Sequence, residues 1–243
     1  MFYQPGKTDH GLRYDPFKAC VVPRPIGWIS TISATLTDSN DEPVANLAPY
    51  SQFQNLTFDP PYVMFSANQT PENQRKDSVV NAETTGIFCW QLATYDLREA
   101  VNLSSEWLPY GQDEFTQARL EKSYSTLLQP KCDVKGTFKG VPMVAASPVR
   151  FECEYYSTIR LPGNPPMGSA DIVIGKVVGV HIDDGVIGSD GKVDVGKTQP
   201  IARCGYYDYA VVRETFEMAM PDGKGGKMRE GLEGRMQVND SGA

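Results

Sequence analysis

Only two histidines, His10 and His181, occur in the chain, and none of its five cysteines forms a CxxC pair. A histidine-built metal centre, a zinc knuckle and a thioredoxin-type motif therefore lack their ligands or thiols. Cys20, Cys89, Cys132, Cys153 and Cys204 are odd in number and widely spaced. That pattern points to free, mostly buried thiols in a reducing cytosol. Positive charge is also short: 23 Lys and Arg against 30 Asp and Glu, with no basic run longer than Arg75-Lys76. Nucleic-acid binding through phosphates, or a polybasic membrane anchor, would need a clustered positive face. No apolar stretch approaches the roughly 20 residues that span a bilayer. The N-terminus has no apolar core of a signal peptide, so a cytoplasmic protein is expected. No GxGxxG is present, which removes the Rossmann dinucleotide fingerprint.

What is present organises around residues 21–51, VVPRPIGWISTISATLTDSNDEPVANLAPYS. Pro23 and Pro25 fix their own φ and bias the residues before them away from the helix region, so the lead-in is extended. Residues 27–35 are β-branched and aromatic with an interrupted period of two, which predicts a strand. A polar turn from Asp38 to Pro43 follows, and residues 44–51 return as a second strand. Their pairing places Ile29, Ser30 and Thr31 near Asn46, Ala48 and Ser51, beside Trp28 or Tyr50. Such a surface suits a flat, phosphorylated ring system; it also suits an ordinary barrel corner.

Residues 62–66 predict a strand of large apolar side chains ending in Ser66-Ala67-Asn68. Thr70-Pro71-Glu72-Asn73 reads as a helix start or turn, and beyond it Asp77 or Ser78 caps a helix over 79–84. With Arg75, Lys76 and the Ser78 hydroxyl, that helix start fits a phosphate. A capped surface helix with two solvated cations is the alternative. Further strands are predicted over 86–92 and 147–156. An amphipathic helix over 97–103 places Leu97, Ala100, Val101 and Leu103 on one face, and a helical turn is expected at Glu114-Phe115. Residues 171–182 are the strongest β segment, with Gly175 and Gly179 marking bulges. Residues 161–170 are a loop and 183–192 a run of turns.

Six or seven strands that neighbour one another in sequence, with two short helices, predict a mainly β closed antiparallel barrel with helices at its rim. Its 243 residues suffice for one sizeable core. Residues 1–220 are read as one domain, and the glycine- and charge-rich stretch 221–243 as a flexible tail.

The order of many short motifs carries more than any one of them. Pro-Arg-Pro-Ile-Gly-Trp-Ile-Ser-Thr is followed by Asn-Leu-Ala-Pro-Tyr-Ser, Asp-Pro-Pro-Tyr-Val-Met-Phe-Ser, Arg-Lys-Asp-Ser-Val-Val-Asn and Thr-Gly-Ile-Phe. Ser-Pro-Val-Arg-Phe-Glu-Cys, Gly-Lys-Val-Val-Gly-Val-His and Pro-Ile-Ala-Arg-Cys-Gly-Tyr-Tyr complete the series. Over about residues 14–210 the chain resembles the flavin reductase-like family of FMN-binding, flavoredoxin-like split barrels. The resemblance implies a Greek-key split barrel and a homodimer with FMN near the subunit interface. It implies hydride transfer from NAD(P)H to flavin N5, then electron delivery to free flavin, a partner monooxygenase or another acceptor. A carrier or storage protein without NAD(P)H turnover is the alternative.

Carried onto this sequence, the family pattern sets the flavin ring and ribityl chain against Ile29, Ser30, Thr31 and Asn46, Leu47, Ala48, Pro49, Tyr50, Ser51. It gives the phosphate to Ser66, Ala67 and Asn68 with Arg75, Lys76, Asp77 and Ser78. Asp77 would cap the helix and orient Lys76. No side-chain nucleophile is expected, because the flavin carries the chemistry. His181 is either a flavin neighbour or a rim residue of the long strand. Arg203 and Tyr206 are candidates for the nicotinamide entry, an interface salt bridge being the other reading of Arg203. Cys204 is read as a packed thiol. The 161–170 loop and the tail fall outside the matching motifs, and either could gate the site.

Overall fold

The computed structural model describes residues 1–70, 72 and 74–218. The chain divides into two units, Met1–Arg213 and Glu214–Ala243. Every element below belongs to the first. Of the second only residues 214–218 are described, without regular structure, and the expected tail over 221–243 lies outside the described residues. The same holds for Pro71 and Asn73 of the expected turn at 70–73.

In chain order, the elements begin with α1 (Phe17–Cys20), β1 (Arg24–Pro25), β2 (Gly27–Thr37), β3 (Pro43–Tyr50), β4 (Phe53–Phe58) and β5 (Pro61–Asn68). Then come α2 (Asp77–Thr85), β6 (Ile87–Gln91), α3 (Arg98–Leu103), α4 (Glu114–Gln117), β7 (Lys122–Tyr124) and β8 (Pro142–Val144). The series ends with β9 (Val149–Leu161), β10 (Ala170–Ile182), α5 (Val195–Thr198), β11 (Ile201–Arg203) and β12 (Tyr209–Val211). Seven strands form one antiparallel sheet in the order β3-β2-β6-β9-β10-β5-β4, and β1-β11-β12 and β7-β8 make two small sheets.

The sheet curls until its two ends meet. Phe53 on β4 and Trp90 on β6 stand four ladders apart, about 19 Å in a flat sheet, yet their rings stack at 5.3 Å with an interplanar angle of 2°. Tyr50 on β3 likewise meets Phe65 on β5 at 5.0 Å. Side chains from β2, β4, β5, β6, β9 and β10 thus share one core with Val79 and Ala82 of α2. No ladder joins β3 to β4 among the described residues. The expected closed barrel is therefore, as far as hydrogen bonding goes, a strongly curled antiparallel sheet.

Curvature enters β10 where the sequence placed it. Register shifts against β9 fall at Ile174/Gly175 and Val177/Gly179. A Cβ on Gly175 would collide with the ring of Phe88, which is fully buried. The glycine therefore admits the aromatic as well as the bend.

Several expectations need correction. Residues 17–20 form a short helix ahead of the extended lead-in, an element without a counterpart among the expected ones. β4 and α5 had no counterpart in the sequence reading. Leu103 is exposed and leaves the apolar face of α3 to Leu97, Ala100 and Val101. Of the five free cysteines only Cys89 and Cys153 are buried; Cys20 is exposed, and Cys132 and Cys204 are half-buried. No helix among the described residues is long and apolar enough to cross a membrane.

Candidate functional site

A cleft of about 680 Å³ opens where β3, the end of β5 and the start of α2 converge, with the 104–110 segment and the 162–169 loop forming its remaining walls. That volume lies within the range of small-molecule and cofactor sites. A smaller cavity of about 300 Å³, between α3 and β11–β12, contains none of the residues predicted for a site.

Strand periodicity decides which predicted residues reach the cleft. Successive side chains point to opposite faces, so a contiguous run cannot all face one ligand. On β3, Asn46 and Ala48 line the cleft in alternation, and where the strand ends the alternation lapses, so that Pro49, Tyr50, Ser51 and Gln52 all border it. Leu47 turns into the second apolar cluster with Trp28. On β2 none of the three predicted side chains lines it. Ile29 is in the main core, and Ser30 faces the other way, 2.5 Å from the Pro142 carbonyl to which it donates. Thr31 is fully buried one layer below, bonded to Asn46. On β5, Ser66 and Asn68 line the cleft, while Ala67 packs into the core.

The helix mouth differs from expectation in its details. The residue capping α2 is Lys76, in extended backbone and without a side-chain cap bond, so Asp77 is the first helical residue and caps nothing. The first N–H groups of a helix have no intrahelical acceptor, and Lys76, Asp77 and Ser78 all line the cleft. The Lys76 ammonium rests 4.4 Å from the Trp107 ring centroid and makes no ion pair among the described residues. Burial pushes its pKa down. Burial pushes the Asp77 carboxyl up, against the pull of Lys76.

Arg75 also borders the cleft, but its guanidinium is committed elsewhere. Nη1 and Nη2 donate to Glu83 at 2.7 and 2.6 Å, and Nε donates to Asp171 at 3.0 Å. Asp171 in turn accepts from Arg160 at 2.8 and 3.1 Å. Burial works to raise the Asp171 carboxyl, but the hydrogen bonds from Arg160 and Arg75 outweigh it and hold the pKa below the ordinary value. This network pins the start of α2 to β10. Two carboxylates already offset the Arg75 charge, so Lys76 is the cation left for an anion.

Glu114, expected only as part of a helical turn, was not among the site candidates. It lies 6% exposed on the cleft wall, accepting from Leu47 N–H at 2.9 Å and Asn46 Nδ2 at 3.1 Å. Burial pushes its carboxyl up to about 7, with Asp77 adding to the rise and the two hydrogen bonds opposing it. Trp107, Tyr110 and Met167 are further cleft residues outside the site candidates. Trp107 and Met167 are more than half exposed, and Tyr110 bonds Ser33 at 3.0 Å.

The remaining candidates lie elsewhere. His181 is not in the cleft: its Nε2 is 2.7 Å from Glu152, a fully buried carboxylate that also accepts from the Thr126 and Leu127 amides. Arg203 donates to the Tyr209 hydroxyl at 2.6 Å, and no salt bridge involves it among the described residues. Tyr206 packs against Tyr14, with ring centroids 5.4 Å apart. Neither Arg203 nor Tyr206 lines the cleft.

The donor set fits a phosphorylated aromatic ligand. One end of the cleft has a half-buried ammonium and unpaired helix N–H groups for an anion. The rest offers Ala48, Pro49, Tyr50, Trp107 and Met167 to a flat ring, with Gln52 for its polar edge, and Ser66 and Asn68 also line the cleft.

Comparison with known proteins agrees with this chemistry. The family model for the flavin reductase like domain matches residues 19–197. An uncharacterized protein of Halalkalibacterium halodurans is 30% identical over 221 residues, 91% of this chain and 97% of that protein. Nitrilotriacetate monooxygenase component B from Bacillus cereus superposes with a TM-score of 0.74 at 25% identity, covering 90% of this chain and 98% of that one. Flavoredoxin of Desulfovibrio vulgaris shares the fold, with a TM-score of 0.65 at 16% identity over 90% of this chain and all of that one.

Proposed function

The chain belongs to the flavin reductase-like family, and from that premise we propose that its cleft binds FMN and that it works as an NAD(P)H oxidoreductase of the flavin reductase type. The observation that carries this reading is Lys76: a partly desolvated cation without an ion-pair partner among the described residues, beside free helix N–H groups at one end of an otherwise ring-shaped cleft. In this reading Lys76, Ser78 and the first amides of α2 hold the phosphate, with Ser66 and Asn68 opposite. The segment from Ala48 to Ser51 and the Trp107 indole hold the ring. Arg75 acts indirectly, by fixing α2 to β10 through Glu83 and Asp171. FMN, when bound, supplies a hydride acceptor at N5; the protein positions it and keeps competing reactions out.

The Bacillus cereus protein is a monooxygenase component by its name. By analogy, we propose that reduced flavin leaves this protein for a partner monooxygenase or another acceptor. A homodimer belongs to the same proposal, with the partner subunit completing the nicotinamide side of the cleft. So does a closed Greek-key barrel, with the side-chain contact between Tyr50 and Phe65 sealing its seam. The five unbridged thiols fit a reducing, cytoplasmic setting.

One observation favours a second reading, an FMN-binding electron carrier: Arg203 and Tyr206 stand away from the cleft, so this subunit alone offers no obvious dinucleotide clamp. Stopped-flow absorbance of the FMN-loaded protein mixed with NADH or NADPH separates the two. Bleaching of bound flavin within seconds supports the reductase, and flavin that stays oxidised supports the carrier.

A further inference from the structure

We propose that Glu114 is a positioning residue that sets the hydrogen-bond polarity of the phosphate end of the cleft. It takes one proton from the buffer when that end is filled, so that Asn46 turns over and Ser78 donates to the ligand. The inference rests on the FMN reading above.

An ionised carboxylate only accepts hydrogen bonds. With Glu114 ionised, Asn46 must present its NH2 to Glu114 Oε1, 3.1 Å away. The amide oxygen of Asn46 then faces the Ser78 hydroxyl at 2.7 Å and the Thr31 hydroxyl at 3.2 Å, and accepts from both. The one proton of Ser78 is therefore spent on Asn46. Toward the cleft Ser78 offers a lone pair, the wrong polarity for a phosphate dianion.

A proton on Glu114 Oε1 reverses the chain. The carboxyl donates to the oxygen of a turned-over Asn46, whose NH2 then donates to Ser78 Oγ. The Ser78 O–H is released into the cleft. Glu114 Oε2 keeps the Leu47 N–H at 2.9 Å, and Thr31 keeps the bond it receives from Asn81 at 3.1 Å while giving up the one it makes to Asn46.

The surroundings make such a proton accessible. Among the described residues, Asp77 from α2 and the Tyr50 phenol from β3 act on Glu114, and the same cleft holds Lys76, Arg75, Glu72 and Glu106. Burial raises the Tyr50 pKa, which keeps the phenol neutral. Asp113, next to Glu114 in sequence, is paired with Lys122 at 2.5 Å. Burial and Asp77 already favour the protonated carboxyl. A dianion in the same cleft adds to that preference.

The test is isothermal titration calorimetry of flavin-free protein with FMN at about pH 8, where the phosphate is already a dianion, in two buffers of different ionisation enthalpy. Wild type is expected to take up close to one proton per FMN and none with riboflavin. Glu114→Gln imitates the protonated carboxyl, its amide donating to the turned-over Asn46 and accepting from Leu47. It is expected to bind FMN with close to one proton fewer taken up than wild type, any uptake at Lys76 being common to both. Between about pH 7 and 9 the wild-type Kd should rise up to tenfold per pH unit relative to Glu114→Gln, the Lys76 titration being common to both. FMN binding by wild type without proton uptake, uptake equal in wild type and Glu114→Gln, or uptake with riboflavin overturns this proposal and leaves the FMN reading standing. An absence of FMN binding in every buffer overturns both.

Discussion

Replacing Lys76 by alanine should separate two ligands that differ only by a phosphate. The ammonium is half-buried, pressed to 4.4 Å from the Trp107 ring centroid, and has no ion-pair partner among the described residues. Its desolvation is already incurred in the free protein, so an arriving dianion gains most of the charge-assisted contact. Such a contact contributes about 1.5–3 kcal/mol, which is roughly 10- to 150-fold in affinity. Riboflavin has no phosphate and should lose little. Part of the packing on Trp107 is lost for both ligands, so the ratio of the two losses is the quantity to read. Flavin fluorescence titrations of wild type and Lys76→Ala with FMN and with riboflavin supply it. An equal loss for both ligands, or none for FMN, would refute the assignment of the phosphate to the start of α2.

Three further outcomes follow from the same geometry. Asp171→Asn leaves Arg75 and Arg160 without their shared carboxylate and should cost about 2 kcal/mol at pH 7 in urea unfolding, between the values for exposed and buried pairs. Because the folded-state pKa of Asp171 is depressed, its contribution is present above about pH 4 and lost on further acidification. The variant's stability should therefore fall less steeply in acid than that of wild type. Glu114 has the opposite sign: its raised pKa lowers stability as pH rises from about 4.5 toward 7, by up to about 3 kcal/mol. Glu114→Gln should flatten that limb of the profile. Gly175→Ala drives a methyl into buried Phe88 and should destabilise by about 1–3 kcal/mol, read as a lowered Tm; an unchanged Tm would show that the β9–β10 bulge yields freely.

Much of the scaffold was legible because its signals are local. The 21–51 hairpin, the helix after Asp77 and the two glycine bulges each follow from φ preferences and periodicity within a dozen residues. β4 escaped because Gln, Asn and Thr make up half of its six residues and Phe53 is the one apolar side chain of the strand that is buried. The site was half legible. The motif order pointed to β3, the end of β5 and the start of α2, which line the cleft, whereas the side chains of Ile29, Ser30 and Thr31 on β2 do not. Arg75 looked like a phosphate cation because neither of its carboxylate partners, Glu83 in the following helix and Asp171 96 residues away, lies in its own motif. Glu114 and Trp107 sit in polar sequence that reads as solvated loop. Only the approach of that segment to β3 and α2 makes one a buried carboxyl and the other a cleft wall.

The most direct measurement is a visible-absorbance titration of FMN with purified, flavin-free protein. The account predicts a shifted and structured flavin band that saturates at one FMN per chain, and a far weaker response to Lys76→Ala. A spectrum that stays that of free FMN at saturating protein would contradict it.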